Sequence, residues 1–148
     1  MGTGSHAPRG TIDRAVLQAI ERRLRTVAFV DRTDLGPTHG TMTLTATIDL
    51  AYLPAGVETA YFDIQWYTSD DFSIHYQEVW TDDDRQRRWD RHPYDPPSLE
   101  EHFHPPPNAD DPVPKAYPSV HFDVLSDVLD ATLDHLRTHP LNTRSGSS

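Results

Sequence analysis

The run Met42-Thr43-Leu44-Thr45-Ala46-Thr47-Ile48-Asp49-Leu50 alternates apolar and polar side chains without a break. A period of two puts successive side chains on opposite faces of an extended chain, so this run reads as a half-buried strand, apolar on one side and threonine-lined on the other. Pro54-Ala55-Gly56 turns the chain, and a second run sets Ala60, Phe62, Ile64 and Trp66 against Tyr61, Asp63, Gln65 and Tyr67. Ser69-Asp70-Asp71 turns it again, into a third run over 72–80 and a fourth over 86–92. Between these last two lies the polar stretch Thr81-Asp82-Asp83-Asp84, suited to a four-residue hairpin loop. Together the four runs predict a four-stranded antiparallel meander.

Outside these strands the period changes to that of a helix. Ile12, Val16, Ala19, Ile20 and Leu24 fall on one face, with Leu17 and Val27 beside them and Thr11 as a capping residue, which predicts a helix over 12–25. A short apolar segment, 27–30, follows before Asp34-Leu35-Gly36-Pro37 and Gly40 break the chain. At the other end Phe122, Leu125, Leu129, Leu133 and Leu136 predict a helix over 122–137, stopped by His139-Pro140. Two amphipathic helices beside a one-sided sheet pack on its apolar face and leave the other face wet. The fold class is therefore α+β, one domain over 11–140 with flexible tails at 1–10 and 141–148. The proline-dense stretch 93–118 reads as a long extended loop.

The chain has 148 residues and no cysteine, which removes disulfides, thiolate zinc sites and a cysteine nucleophile together. No apolar run reaches the roughly 20 residues needed to cross a bilayer, so the expectation is a cytoplasmic protein without a membrane partner. Its formal net charge is -10, and Lys115 is its single lysine. Acid excess with so little lysine suggests a halophile, an archaeon being the expected source. At molar salt the screening length is about 3 Å, so net acidity does not exclude RNA as a substrate.

Polar chemistry concentrates between Ser73 and His104. If the loop 81–84 sets Trp80 opposite Arg85, then Tyr76 faces Trp89 and Glu78 faces Arg87 on one side of the hairpin, while Gln77 faces Arg88 and His75 faces Asp90 on the other. His92 extends that second side. A carboxylate opposite an imidazole fixes its tautomer, and a neighbouring guanidinium can hold a phosphate, so His75, Arg88, Asp90, His92 and His104 are candidate catalytic groups. Gln77, Arg91 and His102 are candidate substrate contacts. Arg85 and Arg87 also flank Trp89 as candidate phosphate contacts, Trp89 itself being expected in the core. The pair His102 and His104 has a spacing that can hold zinc or nickel, but names no third ligand. The expectation is thus no metal and no cofactor, with a His and carboxylate metalloprotein and a noncatalytic protein-binding module as the rival readings.

From about 43 to 136 the order of features resembles the TumE family of toxins from two-gene toxin-antitoxin systems. The residues carrying the resemblance are Tyr76-Gln77, the return Arg88-Trp89-Asp90, His92, the loop His102-Phe103-His104 and the closing acidic helix. The resemblance implies a toxin neutralised by a cognate antitoxin, expected as a small DNA-binding protein encoded in the adjacent gene. Joined to the residue chemistry, it suggests a metal-independent endoribonuclease acting on RNA.

Overall fold

In the computed structural model, which describes residues 7–138, the alternating runs pair as antiparallel neighbours within a wider sheet. Seven strands follow one another in strict meander order: β1 Val30–Thr38, β2 Thr41–Ile48, β3 Val57–Trp66, β4 Phe72–Trp80, β5 Asp84–Arg91, β6 Glu101–His104 and β7 Val113–Pro114. The expected four-stranded sheet is corrected to seven, because three edge and near-edge strands lie in segments rich in Gly and Pro. β1 runs through Gly36-Pro37 and turns only at His39-Gly40, both in the left-handed region (φ 51 and 83). An edge strand has one ladder free of partners and so tolerates proline. At the opposite side, β6 and β7 sit inside 93–118, which is therefore partly sheet rather than all loop.

The helices are α1 Arg14–Leu24 and α2 His121–Arg137, both on one face of the sheet. Asp13, not Thr11, caps α1, its carboxylate accepting from the Val16 N–H at 3.1 Å. Thr11 instead extends the sheet region, its carbonyl accepting from the Thr68 N–H. Leu17, Ile20 and Leu24 of α1, and Val124, Leu125, Val128 and Leu136 of α2, bury against Leu44, Ala46, Phe62, Ile64, Ile74 and Trp66. Each large side chain so buried contributes roughly 1.5–3 kcal/mol. Trp66 and Phe72 stack at 4.8 Å and nearly parallel, joining β3 to β4 across the turn. The residues on the far face alternate with these. His139-Pro140 and the tail 141–148 lie outside the described residues, as do 1–6.

The hairpin between β4 and β5 closes more tightly than a four-residue loop. The Trp80 N–H donates to the Asp83 carbonyl at 2.7 Å, leaving Thr81-Asp82 as the turn. Val79 then pairs with Asp84, Tyr76 with Arg87, His75 with Arg88, and Ser73 with Asp90. The expected pairs His75 with Asp90, Gln77 with Arg88, Glu78 with Arg87 and Tyr76 with Trp89 are corrected accordingly. The shift is two residues, and an even shift keeps every side chain on its face.

Arg9, read from sequence as part of a tail, is bound to the domain. Its guanidinium donates to Asp71 at 2.7 Å and 3.1 Å and to Glu100 at 3.0 Å, and its backbone N–H also reaches Asp71. Asp71 is fully buried. Burial works to raise its carboxyl, but the side-chain and backbone hydrogen bonds from Arg9 outweigh it and hold the group below its ordinary value of 3.8. A depressed folded-state value means this pair stabilises the fold above that ordinary value and ceases to do so as pH falls through the folded one. Arg9→Ala is expected to cost about 1 kcal/mol near neutrality, since the arginine is half exposed and screened by solvent. Urea midpoints of the two proteins should differ most above pH 4 and converge in acid.

Candidate functional site

On the face away from the helices, the ladder lines up polar residues in cross-strand rows. One row reads Thr45, Asp63, His75, Arg88, His104 across β2 to β6. The next reads Gln65, Ser73, Asp90, His102. Two imidazoles thus flank one guanidinium, about 10 Å apart at the backbone for two strand spacings. His75, Arg88, Asp90, His102 and His104 all lie on this face, with Gln77 one row further towards the turn.

Asp90 is the centre of the cluster and is 1% exposed. Its Oδ2 accepts from Arg88 Nε at 2.7 Å and lies 3.3 Å from the Nε2 atoms of both His102 and His104, and 3.9 Å from that of His92. Burial opposes its charge, while the Arg88 guanidinium, by its charge and its hydrogen bond, works to hold the carboxyl below its ordinary value.

The tautomers follow from the partners, since a carbonyl can only accept and a guanidinium can only donate. His92 Nδ1 donates to the Pro93 carbonyl at 2.9 Å, His104 Nδ1 to that of Asp110 at 2.8 Å, and His102 Nδ1 to that of Leu99. All three rings accordingly turn Nε2 inward. Arg88 Nη2 donates to His104 Nε2 at 3.0 Å, so one arginine side chain bridges Asp90 and His104. The rings pack edge to face, His102 between His92 at 5.0 Å and His104 at 4.8 Å, with Tyr94 over His102 at 5.0 Å.

Access to the cluster is uneven. The Arg88 side chain is 38% exposed, and His104 forms one wall of a cavity of about 500 Å³ with Tyr94, Asp110 and Pro112. His102 is fully buried, so the residue expected to touch substrate is instead interior. His75 is half-buried beside Arg88, its Nε2 bonded to Gln86 Oε1 at 2.7 Å. Gln77 bonds Asp84 at 3.1 Å. Arg91 points to the helix face, tied to Glu101, to the Asp70 and Pro118 carbonyls and over the Phe72 ring at 5.1 Å. It is a staple between strands and the 93–118 segment rather than part of the cluster.

Sequence reasoning missed a second buried polar group on the helix face. Glu78 accepts from the Tyr76 hydroxyl at 2.7 Å and Trp80 Nε1 at 2.9 Å, and meets His135 Nε2 of α2 at 2.8 Å. This knot borders a cavity of about 490 Å³ lined also by Arg85, Arg87 and Pro107. Its sequence signal was a lone Glu at an inward position of an alternating strand, which needs a partner from elsewhere in the chain. Trp89 is core, as its period predicts. Arg85 lies over Trp80 at 3.9 Å, so it and Arg87 face the helix side and are not neighbours of Arg88.

A family model described as Toxin TumE matches residues 12–136, most of the chain. No curated protein and no solved structure matches. Among the described residues no helix is long and apolar enough to cross a membrane.

Removing Arg88 would leave Asp90 Oδ2 without its strongest donor in a buried site, where an unsatisfied acceptor costs about 1–3 kcal/mol. Arg88→Ala should lower the unfolding free energy read from a urea titration by that amount. Pairing it with Asp90→Asn, which removes the charge as well, should recover part of the loss in a double-mutant cycle.

Proposed function

The chain belongs to the TumE toxin family, and from that premise we propose that it is the toxin of a two-gene toxin-antitoxin pair and that it cleaves RNA. The observation that carries the proposal is the row His75, Arg88, His104, in which two imidazoles flank a part-exposed guanidinium on the sheet face away from the helices. Phosphodiester cleavage by the neighbouring 2′-hydroxyl needs a base, an acid and a cation between them, and this row supplies one of each.

Roles follow from the contacts. His104 donates its Nδ1 proton to Asp110 and accepts from Arg88, so its Nε2 carries the lone pair of a base. Arg88, part exposed and anchored by Asp90, holds the scissile phosphate and stabilises charge on its oxygens. As the Arg88 head turns from His104 Nε2 to the phosphate, that Nε2 takes the 2′-hydroxyl proton, the 2′-oxygen attacks phosphorus, the bond to the 5′-oxygen breaks, and His75 protonates that leaving oxygen. The products are a 2′,3′-cyclic phosphate and a 5′-hydroxyl. Asp90 acts through Arg88 and His104 and is a positioning residue. No step in this scheme needs a metal ion. A single cation on an acidic chain gives weak non-specific binding, so recognition of RNA rests on contacts within the face rather than on long-range attraction.

The cognate antitoxin is the expected partner, a DNA-binding protein encoded beside the toxin. Expression of the chain alone should arrest growth, and co-expression of the neighbouring gene should relieve it. General acid and base groups each contribute about 10²–10⁴-fold, so His75→Ala, Arg88→Ala and His104→Ala should each abolish the arrest while remaining folded. Full toxicity in all three, with loss on substitutions in 93–118 outside this row, would replace the ribonuclease with a noncatalytic binding module.

A further inference from the structure

Three acceptors converge in the cluster without a donor among them. Asp90 Oδ1 and His102 Nε2 are both buried and have no hydrogen-bond partner. His92 Nε2, with its Nδ1 proton committed to Pro93, is a third lone pair aimed at the same carboxylate. One ligand atom from each of Asp90, His92 and His102 lies within 4.8 Å of the others. A buried water has two protons and could satisfy two of these atoms, not three.

We infer that Asp90, His92 and His102 form the ligand set of a divalent transition-metal ion of the zinc class. Two imidazoles and one carboxylate suit zinc, nickel or ferrous ions, whereas magnesium and calcium favour oxygen donors alone. The backbone fixes the set. Asp90 and His92 are two residues apart at the end of β5, and His102 pairs directly with Asp90 across the β5–β6 ladder, which continues from the His92 N–H to the Glu100 carbonyl at 3.0 Å. Both histidines donate their outer N–H to a backbone carbonyl, the arrangement that orients metal-ligating imidazoles and makes them better donors. The pair His102 and His104 is not the ligating unit, because Arg88 occupies His104 Nε2.

Arg88 is a cation beside the site and opposes a second one. Its bond is to Oδ2, however, leaving Oδ1 for the metal, and its part-exposed head can turn to solvent or phosphate. The ion would lie beneath the row that meets RNA and tie the 93–100 segment to the sheet. The inference concerns binding and does not rest on the ribonuclease reading.

The test uses the full chain purified without a polyhistidine tag, stripped with chelator and titrated with zinc in a calorimeter. One zinc per chain is expected, with a rise in Tm of roughly 5–10 °C at a hundredfold excess over Kd. His92→Ala, at the rim of the cluster, and Asp90→Asn should each weaken binding by about 100-fold or more while circular dichroism stays unchanged, and His39→Asn, remote on the β1–β2 turn, should bind as the parent does. Absence of zinc binding, or binding equal to the parent's in His92→Ala, overturns the inference. Because no RNA enters the assay, that failure leaves the cleavage proposal standing, and loss of cleavage leaves the metal inference standing.

Discussion

The buried carboxylate of Asp90 is the constraint around which this face of the protein is arranged. A charge 1% exposed survives only with opposite charge or hydrogen bonds around it; Arg88 from its own strand supplies both, and the rings of His102 and His104 from β6 and of His92 from the strand end enclose the group. Two of these groups, His102 and His104, come from β6 and bring that part of the 93–118 segment to the sheet. The proline-rich chain that follows β5 therefore becomes two further strands and a cover over the cluster, where composition alone describes a loop. Beyond β5 the sheet also gains the Trp89 and Phe103 rings, 5.4 Å apart on the helix face.

The two faces divide the work through the period of two. On one, Leu44, Phe62, Ile74 and Trp89 pack under α1 and α2 and fix the frame. On the other, the same strands hold Thr45, Asp63, His75 and Arg88 at positions set by that frame rather than by flexible loops. Rigid strands suit a site whose groups must keep their separation. The Glu78 and His135 contact on the helix side adds to this, since it fastens the last turn of α2 to the strand that carries His75.

Much of this is legible in the sequence, for a reason that also explains what is not. Periodicity marks faces, so α1, α2 and β2 to β5 are readable, and His75, Gln77, Arg88 and Asp90 fall on one side however far the hairpin slides by an even step. Register is set by the turn, and a run of Thr81 and three aspartates does not say that the strands close around two residues rather than four. The slip exchanges Asp90 for Arg88 opposite His75 and turns a presumed carboxylate and imidazole pair into a row with arginine at its centre. β1 was hidden because Gly36-Pro37 ends most strands but not an edge strand, and β6 because it is four residues long between prolines. Arg9 carries no period at all, and only the fold brings it to Asp71, 62 positions away.

The ribonuclease reading proposed for the His75, Arg88 and His104 row rests on attack by the 2′-hydroxyl. The most direct measurement is the chemistry of the ends left when the purified protein is incubated with an end-labelled RNA. Fragments with 2′,3′-cyclic phosphate and 5′-hydroxyl termini, formed also by RNA but not by a strand lacking the 2′-hydroxyl at the cleaved position, are the result this arrangement predicts. Fragments with 5′-phosphate termini, which require attack by water, or an RNA left intact at toxin levels that arrest growth, would contradict it.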